Sequence, residues 1–82
     1  MQLYSIIETA TDEEPKTVLH STTILDVLAY MYGNKLYSVY NLHEINEVID
    51  LLTRLQCIGY IIIHEEIKLG KEVVYEIFKD KD

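Results

Sequence analysis

The stretch "NLHEINEVIDLLTRLQ", residues 41–56, constrains the chain most tightly. Ile45, Val48, Ile49, Leu52 and Leu55 recur at three- and four-residue intervals, the repeat of one helix face. The spacing predicts a helix over 42–57, with Ile49 and Leu52 in mid-stripe as core residues. Asn41, with Glu44 three residues on, fits an N-cap and its reciprocal acid. Gly59 ends the helix. Such a stripe has to be buried against a second layer, and the rest of the chain shows what that layer is.

Residues 3–8, "LYSIIE", are β-branched and aromatic and read as a strand. Asp12-Glu13-Glu14-Pro15 reads as an exposed turn, and "TVLHS" returns as a second strand. Thr23, with Asp26 three residues on, opens a helix over 23–32 whose face is Ile24, Val27, Leu28 and Met31. Gly33-Asn34 closes it. "KLYSVY" has the residue types of a strand. After the second helix, Tyr60–Ile63 is a continuous apolar run, the pattern of a strand covered on both faces. "EEIKLGKE" turns the chain at Gly70. In "VVYEIF", Val73, Tyr75 and Ile77 share one face, and Glu72, Val74, Glu76 and Phe78 the other. The tail "KDKD", residues 79–82, is expected to fray. The reading is one α+β domain with an antiparallel sheet, in the order β-β-α-β-α-β-β.

A chain of 82 residues has room for one small core. With Cys57 as its one cysteine it has no internal disulfide, so dimerisation is the expected aid to stability. Cys57, at the end of the helix stripe, reads as a buried small hydrophobe. No apolar run reaches the length of a membrane span. The first residues lack the basic and apolar regions of a signal peptide. A reduced, cytoplasmic setting is the corresponding expectation.

The end of the chain carries a resemblance. Leu55, then Gly59-Tyr60-Ile61, then Gly70-Lys71, then Tyr75-Glu76-Ile77 resemble the close of a winged-helix domain, where a recognition helix passes through a glycine into a two-stranded wing. The likeness covers about residues 24–78 and is one of spacing. It implies DNA binding, with Lys68 and Lys71 placed to touch a backbone. Charge argues the other way. The formal net charge is −7, and residues 1–52 hold eight acids against two lysines. The second helix turns His43, Glu44, Glu47, Asp50 and Arg54 outward, so three carboxylates would face phosphates that need cations.

No catalytic or cofactor pattern is present. The three glycines lie far apart, so there is no phosphate loop. His20, His43 and His64 are too widely spaced for a helical metal pair, and Cys57 has no base that the sequence places beside it. The expectation is a non-catalytic protein with no cofactor and no metal. His43 with Glu47, and Asp50 with Arg54, read as surface pairs.

Two groups are candidates for protein binding. Glu44, Glu47 and Asp50 form an acidic helix face suited to a basic surface. Tyr30, Tyr32, Tyr37 and Tyr40 crowd one eleven-residue window, and tyrosine suits interfaces because it joins an apolar ring to a polar tip. The function expected is a regulator or inhibitor docking on a basic surface of a nucleic-acid-processing partner, the role of many small viral and mobile-element proteins. Nucleic acid and membrane are not expected partners. The alternatives are a winged-helix transcription regulator and a structural subunit of a larger assembly. A homodimer is expected, with the tyrosine window at or near its interface.

Overall fold

The computed structural model describes residues 1–67 and 70–80, without the side chain of Ile67. Lys68, Leu69, Lys81 and Asp82 lie outside the described residues, and with them one wing lysine and half of the tail.

The described residues form an α+β domain of six elements: β1 (Tyr4–Ala10), β2 (Lys16–Thr22), α1 (Ile24–Gly33), α2 (Ile45–Cys57), β3 (Tyr60–Ile67) and β4 (Lys71–Lys79). The four strands form one antiparallel sheet in the order β2-β1-β4-β3. The two hairpins are therefore joined through β1 and β4. Both helices lie on one face of the sheet, α1 over β1 and β2, α2 over β3 and β4.

Strand alternation assigns the two faces. Ile6 pairs with Ile77, which pairs with Ile61, and this row is buried under the helices. Tyr4, Ile63, Val73 and Tyr75 extend the same floor, and Val27, Met31, Leu51 and Leu55 close it from above. The opposite face carries Ile7, Val74 and Phe78, half-buried, beside exposed Tyr60 and Ile62. Tyr60–Ile63 is thus covered on one face only. The continuous apolar run does not mark a strand packed on both sides.

The strand expected at "KLYSVY" is absent, and the order is β-β-α-α-β-β. Lys35 takes a positive φ of 55° and starts an irregular connection. Leu36, Tyr40 and Leu42 are its buried residues. Their even spacing imitates a strand, but it serves to pin a connection to the core three times.

α1 follows its expected outline. The Thr23 hydroxyl accepts the Asp26 N–H at 3.3 Å, and the C-cap is Asn34. α2 begins three residues later than expected. Leu42 is drawn into the core, and the Tyr32 hydroxyl donates to its carbonyl. Asn41 caps a turn, its Oδ1 accepting from His43 N–H at 3.1 Å. Glu44 takes the N-cap position without a side-chain bond. The buried stripe of α2 is Leu51 and Leu55, with Val48 partly buried. Ile49 is 54% exposed and Leu52 only half-buried, so neither is the mid-core residue expected. The periodicity located the helix correctly, but the buried face is turned toward Leu51: it keeps Leu55 and Val48 and leaves Ile45 and Ile49 outside. Cys57, expected to be buried, is exposed, because two residues past Leu55 the helix has turned it to the far side.

The tail is held as far as it is described. Asp80 N–H donates to the Leu3 carbonyl at 2.9 Å, and Lys79 N–H to that of Gly59 at 2.8 Å.

Candidate protein-binding surface

The connection between the helices builds the first part of the surface. Tyr32 projects from the last turn of α1, while Tyr37 and His43 come from the connection. The three rings form an edge-to-face cluster, with Tyr37 and His43 at 5.0 Å and Tyr32 at 6.4 and 6.1 Å from them. These separations and tilts suit the ring quadrupoles. His43 therefore meets the tyrosines, and no pair with Glu47 forms among the described residues. Tyr40 is one of the core residues, 4% exposed. Burial raises its pKa most; Arg54 lowers it, while Asp50 and Glu47 raise it. Its phenol thus lies within electrostatic reach of one flank of α2. Tyr30 stands apart. It packs edge-on against Tyr75 of β4, at 6.3 Å between centroids. Burial, then the Glu8 carboxylate, raises its pKa.

α2 supplies the second part. Its first turn begins beside the ring cluster at Glu44. Glu47, Asp50 and Arg54 follow on one flank, with Asp50 and Arg54 forming the expected pair at 3.5 Å. Both ends of this pair are half exposed, so its contribution is small, about 0.3–0.5 kcal/mol. Ile45 and Ile49 occupy the other flank, one turn apart, and are 71% and 54% exposed. Aliphatic side chains this exposed add nothing to the core. They give α2 two outward characters, acidic along one side and apolar along the other. Sequence reasoning missed these two isoleucines because it had assigned the apolar stripe as a whole to the core.

The site residues therefore fall into three groups. Tyr32 and Tyr37, with His43, gather at the start of α2. Glu44, Glu47 and Asp50 line the helix that leaves this cluster. Tyr30 and Tyr40 face inward, toward Tyr75 and the core.

Among the described residues, no group of three or more His, Cys, Asp or Glu is close enough to hold a metal ion. His64 pairs with Glu72 across the β3–β4 hairpin rather than with its neighbours Glu65 and Glu66. No helix among them is long and apolar enough to cross a membrane. Comparison of the chain with family models, with curated proteins and with solved structures finds no match.

Proposed function

We propose that the protein is a non-catalytic binding protein whose α2 docks on a basic, partly apolar surface of another protein. The observation that carries this reading is the exposure of Ile45 and Ile49 on the helix that also presents Glu44, Glu47 and Asp50. A solvated helix face explains the carboxylates alone. It does not explain two open isoleucines on the other flank of the same helix. Apolar contact supplies affinity at an interface, and surrounding charge supplies orientation and partner choice.

A basic groove with aromatic rings for stacking is what many single-strand-binding proteins present to their substrate. The proposed role is accordingly regulation or inhibition, with carboxylates one turn apart standing where phosphates would stand. The Tyr32–Tyr37–His43 cluster adds an aromatic end to the same surface.

The winged-helix reading has one observation in its favour: α2 passes through Gly59 directly into the β3–β4 hairpin. It would place Glu44, Glu47 and Asp50 against phosphates, with Arg54 already paired to Asp50. The protein-binding reading avoids that repulsion.

Affinity capture from a native lysate, run beside a duplex-DNA mobility shift, tests the proposal. The expected result is a retained basic protein that high salt releases, and no DNA shift at micromolar protein. Salt-sensitive DNA binding with no retained protein would replace this reading with the winged-helix one.

A further inference from the structure

We infer that the chain forms a two-fold dimer by pairing the free edges of two β3 strands, with Ile61 at the axis. The inference is independent of the role proposed for α2.

The sheet has two edges, and they differ. The β2 edge is irregular. Its register with β1 shifts twice, between Tyr4 and Ile6 and between Ile6 and Ile7, and Ser21 sits at a positive φ of 47°. Bulges of this kind twist an edge away from further pairing. The β3 edge has none of these defences. Its register with β4 is unbroken from Tyr60 to Ile67, and residues 58–63 carry no charge. A regular edge that is apolar and open over Tyr60–Ile62 is a template for another strand.

The backbone fixes which groups are free. Gly59 carbonyl accepts from Lys79 N–H, so residue 59 faces β4. Alternation then turns Tyr60, Ile62 and His64 outward. The Ser38 hydroxyl confirms this from the other side, donating to the His64 carbonyl at 3.0 Å. That bond closes the edge at His64. The outward N–H and C=O of Tyr60 and Ile62 have no backbone partner among the described residues.

Antiparallel pairing of Tyr60 with Ile62 of a second copy, and of Ile62 with its Tyr60, uses those groups and leaves Ser38 in place. It sets each exposed tyrosine ring opposite an exposed isoleucine on the open sheet face. Tyr60 and Ile62 are 44% and 43% exposed, and such cross-strand aromatic–aliphatic pairs are favourable. Val39, Ile58 and Arg54 line the shallow groove beside the strand. Val39 and Ile58 give the contact an apolar rim. Glu65 and Glu66 run past the end of the paired segment, on opposite faces of the strand. Registers shifted the other way along β3 bring the four glutamates together. Charge therefore selects the copy's register as well as its direction. Ser38 and Val39 belong to the tyrosine window, so the contact borders the region where the sequence places it.

Light scattering across a concentration series tests this with Ile62→Lys, Ile62→Pro and Ile7→Lys. The wild type is expected to approach twice the 9.6 kDa chain mass at tens of micromolar, and to do so more readily as salt screens the two −7 chains. Ile62→Lys puts a charge opposite Tyr60, and Ile62→Pro deletes an outward N–H; both are expected to give monomers with unchanged far-UV circular dichroism. Should either fail to fold, Tyr60→Lys takes its place. Ile7→Lys lies on the same open face but in an inner strand, and is expected to remain dimeric. A monomeric wild type, a dimeric Ile62→Lys, or an Ile7→Lys variant that dissociates equally would overturn edge pairing.

Discussion

Ser5 Oγ donates to Asp80 Oδ1 at 2.7 Å, tying the first strand to the last described residue. Ser21 donates to the other carboxylate oxygen at 2.5 Å, and its own N–H reaches Ser5 Oγ at 3.0 Å. The three side chains bind β1, bulged β2 and the end of β4 at one corner. The two hydroxyls hold the Asp80 carboxyl below its usual range, Ser21 contributing more than Ser5.

A carboxylate with a lowered folded pKa stabilises the fold above its unfolded pKa, and that contribution disappears as pH falls through the folded value. Ser21→Ala is therefore expected to raise the Asp80 pKa. It should reduce stability at neutral pH and leave stability below both pKa values nearly unchanged. An NMR titration of the Asp80 carboxyl carbon, with denaturant melts at two pH values, checks both points.

Leu51 and Leu55 are fully buried, whereas Ile49 is exposed on the same helix. Leu51→Ala or Leu55→Ala should cost about 2–5 kcal/mol through lost burial and the cavity left behind. Ile49→Ala should change stability by no more than about 0.5 kcal/mol. Urea denaturation of the three variants measures the contrast. Equal losses at Leu51 and Ile49 would contradict the rotated helix face.

These residues also show how far the sequence can be read. Periodicity revealed where α2 lies, since a helix repeat needs only apolar spacing. It did not orient the helix, because Ile45, Val48, Ile49, Leu51, Leu52 and Leu55 supply more apolar positions than one face can bury. The two hairpins and the faces of β4 were legible from alternation and turn residues. The connection 34–44 was not. Leu36, Tyr40 and Leu42 share the alternation of a strand, and only the tertiary position of the core distinguishes anchoring from pairing. Of the candidate surface, the carboxylates and Tyr32 and Tyr37 were legible. Tyr40 was not, since a tyrosine can face a core or an interface, and local sequence holds no term that decides between them.

Gly59 has a φ of +83°, and a Cβ built there would lie 3.3 Å from the Lys79 Cβ. Gly33 has open space around it. Gly59→Ala is therefore expected to cost at least about 1 kcal/mol, from left-handed backbone in an L-residue. Gly33→Ala should be neutral or stabilising by up to about 1 kcal/mol, because it ends a helix that alanine suits. Thermal melts of the pair should move in opposite directions or leave Gly33→Ala unmoved.

Tyr30, Tyr40, Tyr60 and Tyr75 all have pKa values raised above the ordinary phenol value. Burial dominates at Tyr30, Tyr40 and Tyr75; at Tyr60 the hydrogen bond to Glu76 does, at 2.9 Å. Tyr75 is shifted furthest, by burial and then by Glu8. A raised folded pKa means that the neutral phenol is favoured in the fold. Its contribution is complete below the unfolded value of about 10 and is lost as pH rises through the folded value. Stability should therefore fall in strong alkali. Phenolate absorbance should appear in two stages, exposed tyrosines first and the buried ones together with loss of circular dichroism. A single early stage with the fold intact would contradict the burial of Tyr40 and Tyr75.

The central claim is that the acidic and apolar flanks of α2 form one docking surface. The most direct measurement is the affinity of the captured partner for wild type, Ile49→Asp and the double variant Glu47→Lys, Asp50→Lys, titrated at two salt concentrations. Loss of binding by at least about tenfold in both variants, a difference of roughly 1.4 kcal/mol, with melts unchanged and wild-type affinity weakening in salt, is the predicted result. Affinities equal to wild type in both variants would contradict the claim and leave α2 a solvated helix.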